Sequence, residues 1–150
     1  MPTCSTSVSI DVPRGLVWSV LSDVAAWPEW LPTVTRVEPL DGNSLRPGAR
    51  FVVHQPKLRP ATWTVSVLEQ PARFVWVSGL PGLRMVAEHI VNENTPASSV
   101  VELRYTFAGL AAPLIGRLYR SMTQAYIEQE AAALKRKVET SRSVLTKNVL

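Results

Sequence analysis

The stretch VWSVLSDVAAWPEWLP, residues 17–32, decides the fold of this chain. Just after Pro13, which suits the first position of a helix, apolar residues recur at helical spacing, at Leu16, Val17, Val20 and Leu21. Asp23 can cap a second helical segment, which Pro28 and Pro32 keep short. The stretch therefore predicts two short helices in succession and no long helix.

Segments of period-two alternation lie on both sides of these short helices. One precedes them and six follow, and Pro- or Gly-containing turns separate several of them. Because short connections favour antiparallel neighbours, we expect a meander in a sheet of six or seven strands. The predicted strands are residues 3–12, 35–40, 49–55, 61–69, 73–78, 83–92 and 99–108.

The chain ends in one long predicted helix, from Pro113 to about Glu139. One face of the sheet must be covered, and this helix is the large amphipathic element available in the sequence. Its apolar stripe is therefore expected to pack on the sheet. The stripe comprises Leu114, Leu118, Met122, Ala125 and Ala132, widened by Ile115, Tyr119, Tyr126 and Ala133. We expect a single domain over residues 1–141 and a flexible tail over residues 142–150.

Composition excludes several classes of protein. With 150 residues, 46% hydrophobic and 19% charged, the chain can bury a core, and no apolar run approaches the roughly 18 residues of a membrane span. The net charge of +4 lacks an aromatic-interleaved basic stripe, so we expect no nucleic-acid partner. No motif for a metal or a cofactor is present, so none is predicted. The lone Cys4 and the absence of a signal peptide favour a cytoplasmic location.

Residues 17–32 resemble the polyketide cyclase/dehydrase and lipid-transport family of the START-like (SRPBCC) superfamily. The likeness is carried by the pair Val17-Trp18, the step from Leu21 to Asp23 and the run WPEWLP at residues 27–32. The order of elements agrees over roughly residues 3 to 140. The resemblance implies an α+β helix-grip fold, in which a curved antiparallel sheet wraps around the C-terminal helix and the two enclose a cavity for an apolar small molecule.

His89 and Tyr105 are the candidate catalytic residues, should the protein be an enzyme. Strand parity places both on the inner face, and the hairpin turn near residues 95–98 is expected to set them side by side. An imidazole beside a phenol could act as general acid or base, but a hydrogen-bonded structural histidine is the simpler explanation of His89. Glu69, Glu88 and Glu102 take outward parity, which argues against hydrolysis by two carboxylates.

The predicted ligand-binding residues share inward parity on the strands or a place on the helix stripe. They combine large apolar surface with a few polar groups, as binding cavities do. The set is Phe51, Val53, Gln55, Trp63, Val65, Phe74, Trp76, Met85, His89, Leu103, Tyr105, Leu118, Met122, Tyr126 and Gln129.

Three functions fit these observations. The first is binding, and possible carriage, of a lipid, polyketide or isoprenoid between sheet and helix. The second is a polyketide cyclase or dehydratase with His89 as general acid/base. The third is an interaction module whose basic C-terminal tail engages a protein or an anionic membrane. The sequence leaves the ligand and the oligomeric state open.

Overall fold

A computed structural model describes the backbone of residues 1–149 and the side chains of residues 1–141. Two short helical segments follow the first strand, six strands come next and a long helix ends the chain, as predicted. The elements are β1 (Thr3–Ile10), α1 (Arg14–Leu21), a 3₁₀ helix (Val24–Glu29), β2 (Arg36–Pro39), β3 (Arg50–His54), β4 (Ala61–Glu69), β5 (Arg73–Leu80), β6 (Leu83–Thr95), β7 (Ser98–Ala108) and α2 (Ala112–Val149).

Within residues 1–149 the strands form one antiparallel sheet of seven, in the order β1-β7-β6-β5-β4-β3-β2. Strands β2 to β7 are a meander, and β1 joins the edge beside β7. The sheet is strongly curved, because Trp63 of β4 lies 5.9 Å from Tyr105 of β7, between ring centroids, although two strands separate them. The predicted antiparallel sheet of six or seven strands, its meander and the helix-grip arrangement are confirmed.

The predicted pairing of His89 with Tyr105 is wrong. His89 lies opposite Leu103, and Tyr105 lies opposite Ala87. A two-residue turn joins Thr95 to Ser98, and the register shifts between Glu93 and Thr95. Together they displace the two strands by two residues from the expected alignment.

The rotation of α2 also differs from the prediction. Leu114 and Leu118 are each 70% exposed, and Ala125 and Ala132 face solvent as well. The helix instead buries a second apolar face, which includes Ala112, Ile127, Ala131, Ala133, Leu134 and Val138.

Gly116 gives the physical reason for this rotation. A Cβ at that position would lie 2.5 Å from the side chain of Pro2 and 3.5 Å from Phe107, so the helix approaches β1 and β7 at its glycine. Further along α2, Gln124 Nε2 donates to the carbonyl of Ser5 at 3.0 Å, and Lys135 Nζ donates to the carbonyl of Ser9 at 2.7 Å. The helix thus follows β1, with its small residues toward the sheet.

Helix α2 continues to Val149, beyond the predicted end at Glu139. Side chains from residue 142 onward lie outside the described part, so the domain limit at residue 141 and the flexibility of residues 142–150 stay predictions. Among the described residues, no helix combines the length and the apolar composition needed to cross a bilayer.

Gly109, which joins β7 to α2, is expected to be essential to the placement of the helix. Its φ is +101°, and an added Cβ would lie 2.6 Å from the carbonyl oxygen of Gly82. Gly109→Ala should therefore lower the free energy of unfolding by roughly 1–3 kcal/mol. Urea denaturation measures the change.

Gly15→Ala is the matched control for Gly109→Ala. Gly15 lies in α1, and nothing lies within 4 Å of its added Cβ. Because alanine is the better helix former, this variant should gain about 0.5 kcal/mol. Equal effects of the two substitutions would contradict the proposed role of Gly109.

Candidate functional site

His89 lies in a cage of aromatic rings on the concave face of the sheet. Its imidazole stacks on Phe74, with ring centroids 4.1 Å apart and an angle of 6° between the planes. Trp27 and Trp76 each lie 5.7 Å from the imidazole, between centroids. The side chain of His89 is thereby enclosed, and the residue is only 3% exposed.

The 3₁₀ helix brings Trp27 into this cage. Pro28 keeps the segment short, and the indole N–H of Trp27 donates to the carbonyl oxygen of Leu21 at 2.9 Å. This hydrogen bond satisfies the buried indole donor and folds the 3₁₀ helix back against α1. The stretch that decides the fold therefore also supplies one wall of the site.

Glu130 of α2 faces the imidazole inside this apolar surrounding. Its Oε1 lies 3.6 Å from His89 Nε2, and the two side chains are 13% and 4% exposed. This distance is too long for a hydrogen bond. Among the described residues, His89 Nδ1 and Glu130 Oε1 are buried without a hydrogen-bond partner in the protein. Burying such groups unsatisfied costs about 1–3 kcal/mol each.

Sequence reasoning missed Glu130 because it assigned the buried face of α2 to the wrong residues. Glu130 lies three residues after Ile127 and four before Leu134, and both of those side chains are buried. An acidic residue within the apolar face that Ile127 and Leu134 define was the signal that could have found it. The expectation that Glu69, Glu88 and Glu102 face outward fits the structure, in which each of them pairs with an arginine.

Tyr105 takes a different place from the one predicted. Its ring contacts Trp63 and Phe107, with centroids 5.9 and 5.1 Å away. Burial raises the pKa of Tyr105 well above its ordinary value, and the nearby Cys4 thiol adds to the increase. At neutral pH the phenol is thus a neutral hydrogen-bonding group.

An open groove lies between α2 and the loops that follow the 3₁₀ helix and β3. Its volume is about 420 Å³, within the range of small-molecule sites. The hydroxyl of Tyr126 bridges the groove by donating to the carbonyl oxygen of Pro56. Tyr126 lies one helical turn before Glu130 on the same side of α2. The lining residues are Pro32, Thr33, Pro56, Lys57, Met122, Ala125, Tyr126 and Gln129.

The structure divides the predicted ligand-binding residues into three groups. The buried ones are Phe51, Val53, Trp63, Val65, Phe74, Trp76, His89 and Leu103. The half-buried ones are Gln55, Met85, Tyr105, Met122 and Tyr126. Gln129 is exposed but lines the groove, whereas Leu118 lies outside it on the solvent-facing side of α2. Leu118 was therefore placed wrongly, because its helix face was misassigned.

A curved antiparallel sheet wrapped around a long C-terminal helix, with short helices after the first strand, is the helix-grip fold of the START-like class. Residues 1–139 match the family model described as polyketide cyclase / dehydrase and lipid transport. The chain belongs to this family. No curated protein sequence matches the chain.

Several solved structures share the fold at low sequence identity. A START superfamily protein from Mycobacterium smegmatis has 17% identity and a TM-score of 0.66, with 92% of this chain and 97% of that one covered. The Zhui aromatase/cyclase from a Streptomyces species has 20% identity and a TM-score of 0.70, with 91% and 93% covered. Norcoclaurine synthase from Thalictrum flavum has 12% identity and a TM-score of 0.73, with 92% and 86% covered.

Removing either member of the buried pair alone should lower the free energy of unfolding. His89→Leu leaves a buried carboxylate alone, and Glu130→Leu leaves a buried imidazole alone, so each should lose about 1–3 kcal/mol. The double variant should regain most of this loss, because it removes both buried polar groups and leaves apolar side chains in their place. Urea unfolding of the four proteins measures the coupling.

Glu128→Leu is the control for this cycle. Glu128 is exposed on the same helix, and its substitution should change stability by less than about 0.5 kcal/mol. Additive effects of His89→Leu and Glu130→Leu, within about 0.5 kcal/mol, would show that the two side chains do not interact.

Proposed function

We propose that this protein binds a ring-containing or otherwise apolar small molecule with one polar group, such as a polyketide, an isoprenoid or a lipid. The observation that carries the proposal is the buried His89, which aromatic rings enclose and which Glu130 faces at 3.6 Å. In this function the rings desolvate the ligand, and the pair selects its hydroxyl or carbonyl group.

Unsatisfied hydrogen-bonding capacity in the interior supports this assignment of roles. His89 Nδ1 and Glu130 Oε1 each lack a protein partner, although nearly all buried polar groups in proteins have one. A ligand hydroxyl can donate to one of these atoms and accept from a neighbouring donor. Hydrogen bonds to the ligand would thereby offset the free-energy penalty of burying these two atoms without a partner.

The route to the pair in this proposal is the groove beside α2. Met122 and Tyr126 present apolar surface there, and Gln129 and the Pro56 carbonyl supply polar groups at its rim. Because His89 is almost fully buried, a ligand must displace a side chain to reach it. Tyr126, held to Pro56 by one hydrogen bond across the groove, is the side chain that we assign to this movement.

Structural relatives are consistent with a ring-containing ligand. The norcoclaurine synthase structure is a complex with dopamine and hydroxybenzaldehyde, both of which contain a benzene ring. Because the sequence identity between these structures and this chain is low, the likeness shows the fold alone. The chemistry of the ligand is therefore argued from the ring cage and the pair.

Blocking the groove should prevent binding. Met122→Trp should weaken binding of the neutral fluorescent probe N-phenyl-1-naphthylamine at least tenfold, because the larger ring fills the groove. Leu118→Trp, one turn earlier and outside the groove, is the matched control and should bind like the wild type. Fluorescence titration gives both affinities, and equal weakening by the two variants would contradict entry through this groove.

A second candidate function is ring closure of a poly-β-carbonyl chain, and the position of Glu130 favours it. A carboxylate facing Nε2 stabilises the tautomer with the proton on Nε2, which leaves the Nδ1 lone pair of His89 as a base. Nδ1 takes a proton from a methylene between two carbonyls, and the resulting carbanion forms a carbon–carbon bond to a second carbonyl of the chain. The alkoxide takes the proton back, and loss of water then completes a dehydrated ring.

This second function makes a separate prediction. With a linear poly-β-keto thioester as substrate, His89→Ala should lower the rate of cyclised product at least 100-fold, because it removes the general base. Binding of N-phenyl-1-naphthylamine should persist in the same variant. Mass spectrometry follows the loss of one water from the substrate, and an unchanged rate in His89→Ala would exclude the enzyme hypothesis while leaving the binding function standing.

A further inference from the structure

One end of the molecule exposes large leucine side chains. We call Leu80, Leu110, Leu114 and Leu118 the leucine tip. Their exposed fractions are 67%, 97%, 70% and 70%. Isolated surface leucines are ordinary, but a group of them at one place marks an interaction surface.

The backbone shows that the tip is one continuous region. The turn between β5 and β6 contacts the start of α2, since the Ala111 N–H donates to the carbonyl oxygen of Gly82 at 2.9 Å. Leu80 and Leu110 each lie within two residues of this contact. Leu114 and Leu118 follow on α2 at intervals of four residues, so they continue the same side of the helix.

Positive charge accompanies the tip. No acidic residue occurs between residues 103 and 127, whereas Arg117 and Arg120 fall in the part of this interval that belongs to α2. Arg117 and Arg120 are exposed and line a shallow cleft of about 210 Å³ between β1 and α2. Among the described residues, no carboxylate lies within ion-pair distance of either arginine.

We propose that the leucine tip docks on the surface of an anionic phospholipid bilayer. The leucines enter the interface between headgroups and acyl chains. Arg117, three residues after Leu114 and next to it on the helix surface, binds a lipid phosphate, and Arg120 follows one turn later on the side of α2 that faces the cleft. A second copy of the chain is a poorer partner, because the arginines of two facing tips would repel each other with no acidic residue in the segment to compensate.

Docking of this kind does not depend on the proposed ligand, since the surface is present on the empty protein. It would place the groove near the bilayer, because Met122 follows Leu118 by one helical turn. Arg136 and Lys137 lie five turns further along α2 from Leu118, so their contribution can be tested separately.

Vesicle co-sedimentation tests the proposal. The full chain should bind vesicles of phosphatidylcholine with 30% phosphatidylserine, and should bind pure phosphatidylcholine at least tenfold more weakly. Leu114→Gln/Leu118→Gln should weaken binding to the anionic vesicles at least tenfold without unfolding the chain, because glutamine is a good helix former at these exposed positions. Leu16→Gln in α1 removes a leucine that is exposed elsewhere and should bind normally.

The contribution of Arg117 and Arg120 is tested against a control variant that loses the same number of positive charges elsewhere on α2. Arg117→Gln/Arg120→Gln should weaken binding by about fivefold per arginine, and raised salt should reduce this difference. Arg136→Gln/Lys137→Gln removes the same charge from exposed positions further along α2 and should have a smaller effect.

Three outcomes would overturn the proposal. In the first, wild-type protein fails to sediment with the anionic vesicles. In the second, the leucine variant sediments as well as the wild type. In the third, light scattering without vesicles would show a wild-type dimer that the leucine variant loses, which would assign the tip to contact between copies.

Discussion

The close contact of α2 with β1 and β7 at Gly116 is the constraint on which the rest of the structure depends. A side chain at this position would overlap Pro2, so the glycine must face the sheet. Because a helix is rigid, this one choice fixes the direction of every other side chain along it. Ile127, Leu134 and Val138 turn into the core, and Glu130 turns toward His89. Leu114 and Leu118 must then face solvent.

The same constraint explains why the protein buries a polar pair that does not help it fold. Aromatic rings around His89 gain stability from burial and ring contacts, but the enclosed imidazole and carboxylate lose hydration without gaining a hydrogen bond between them. Residues whose burial lowers the stability of the fold are expected at functional sites. The interior of the sheet is therefore both the hydrophobic core and the candidate site.

Much of the fold could be predicted from sequence, and the site could be predicted in part. Alternation along β4 places Trp63 and Val65 inside, as observed, because successive side chains on a strand point to opposite faces of the sheet. His89 was also predicted to face inward and does so. Its partner was not predicted, since Tyr105 was expected and Glu130 was found. The register error came from the tight turn between Thr95 and Ser98 together with the shift between Glu93 and Thr95, and alternation reveals neither.

The sequence by itself determined the order of the elements, the strand faces and the family, because these depend on local periodicity and on the motif at residues 17–32. Only the tertiary structure decided which face of α2 is buried. That helix carries two apolar faces, one with Leu114 and Leu118 and another with Ile127 and Leu134, and counting large side chains does not distinguish them. The distinction comes from how closely two backbones approach at Gly116, and it exists only once β1 and α2 lie together.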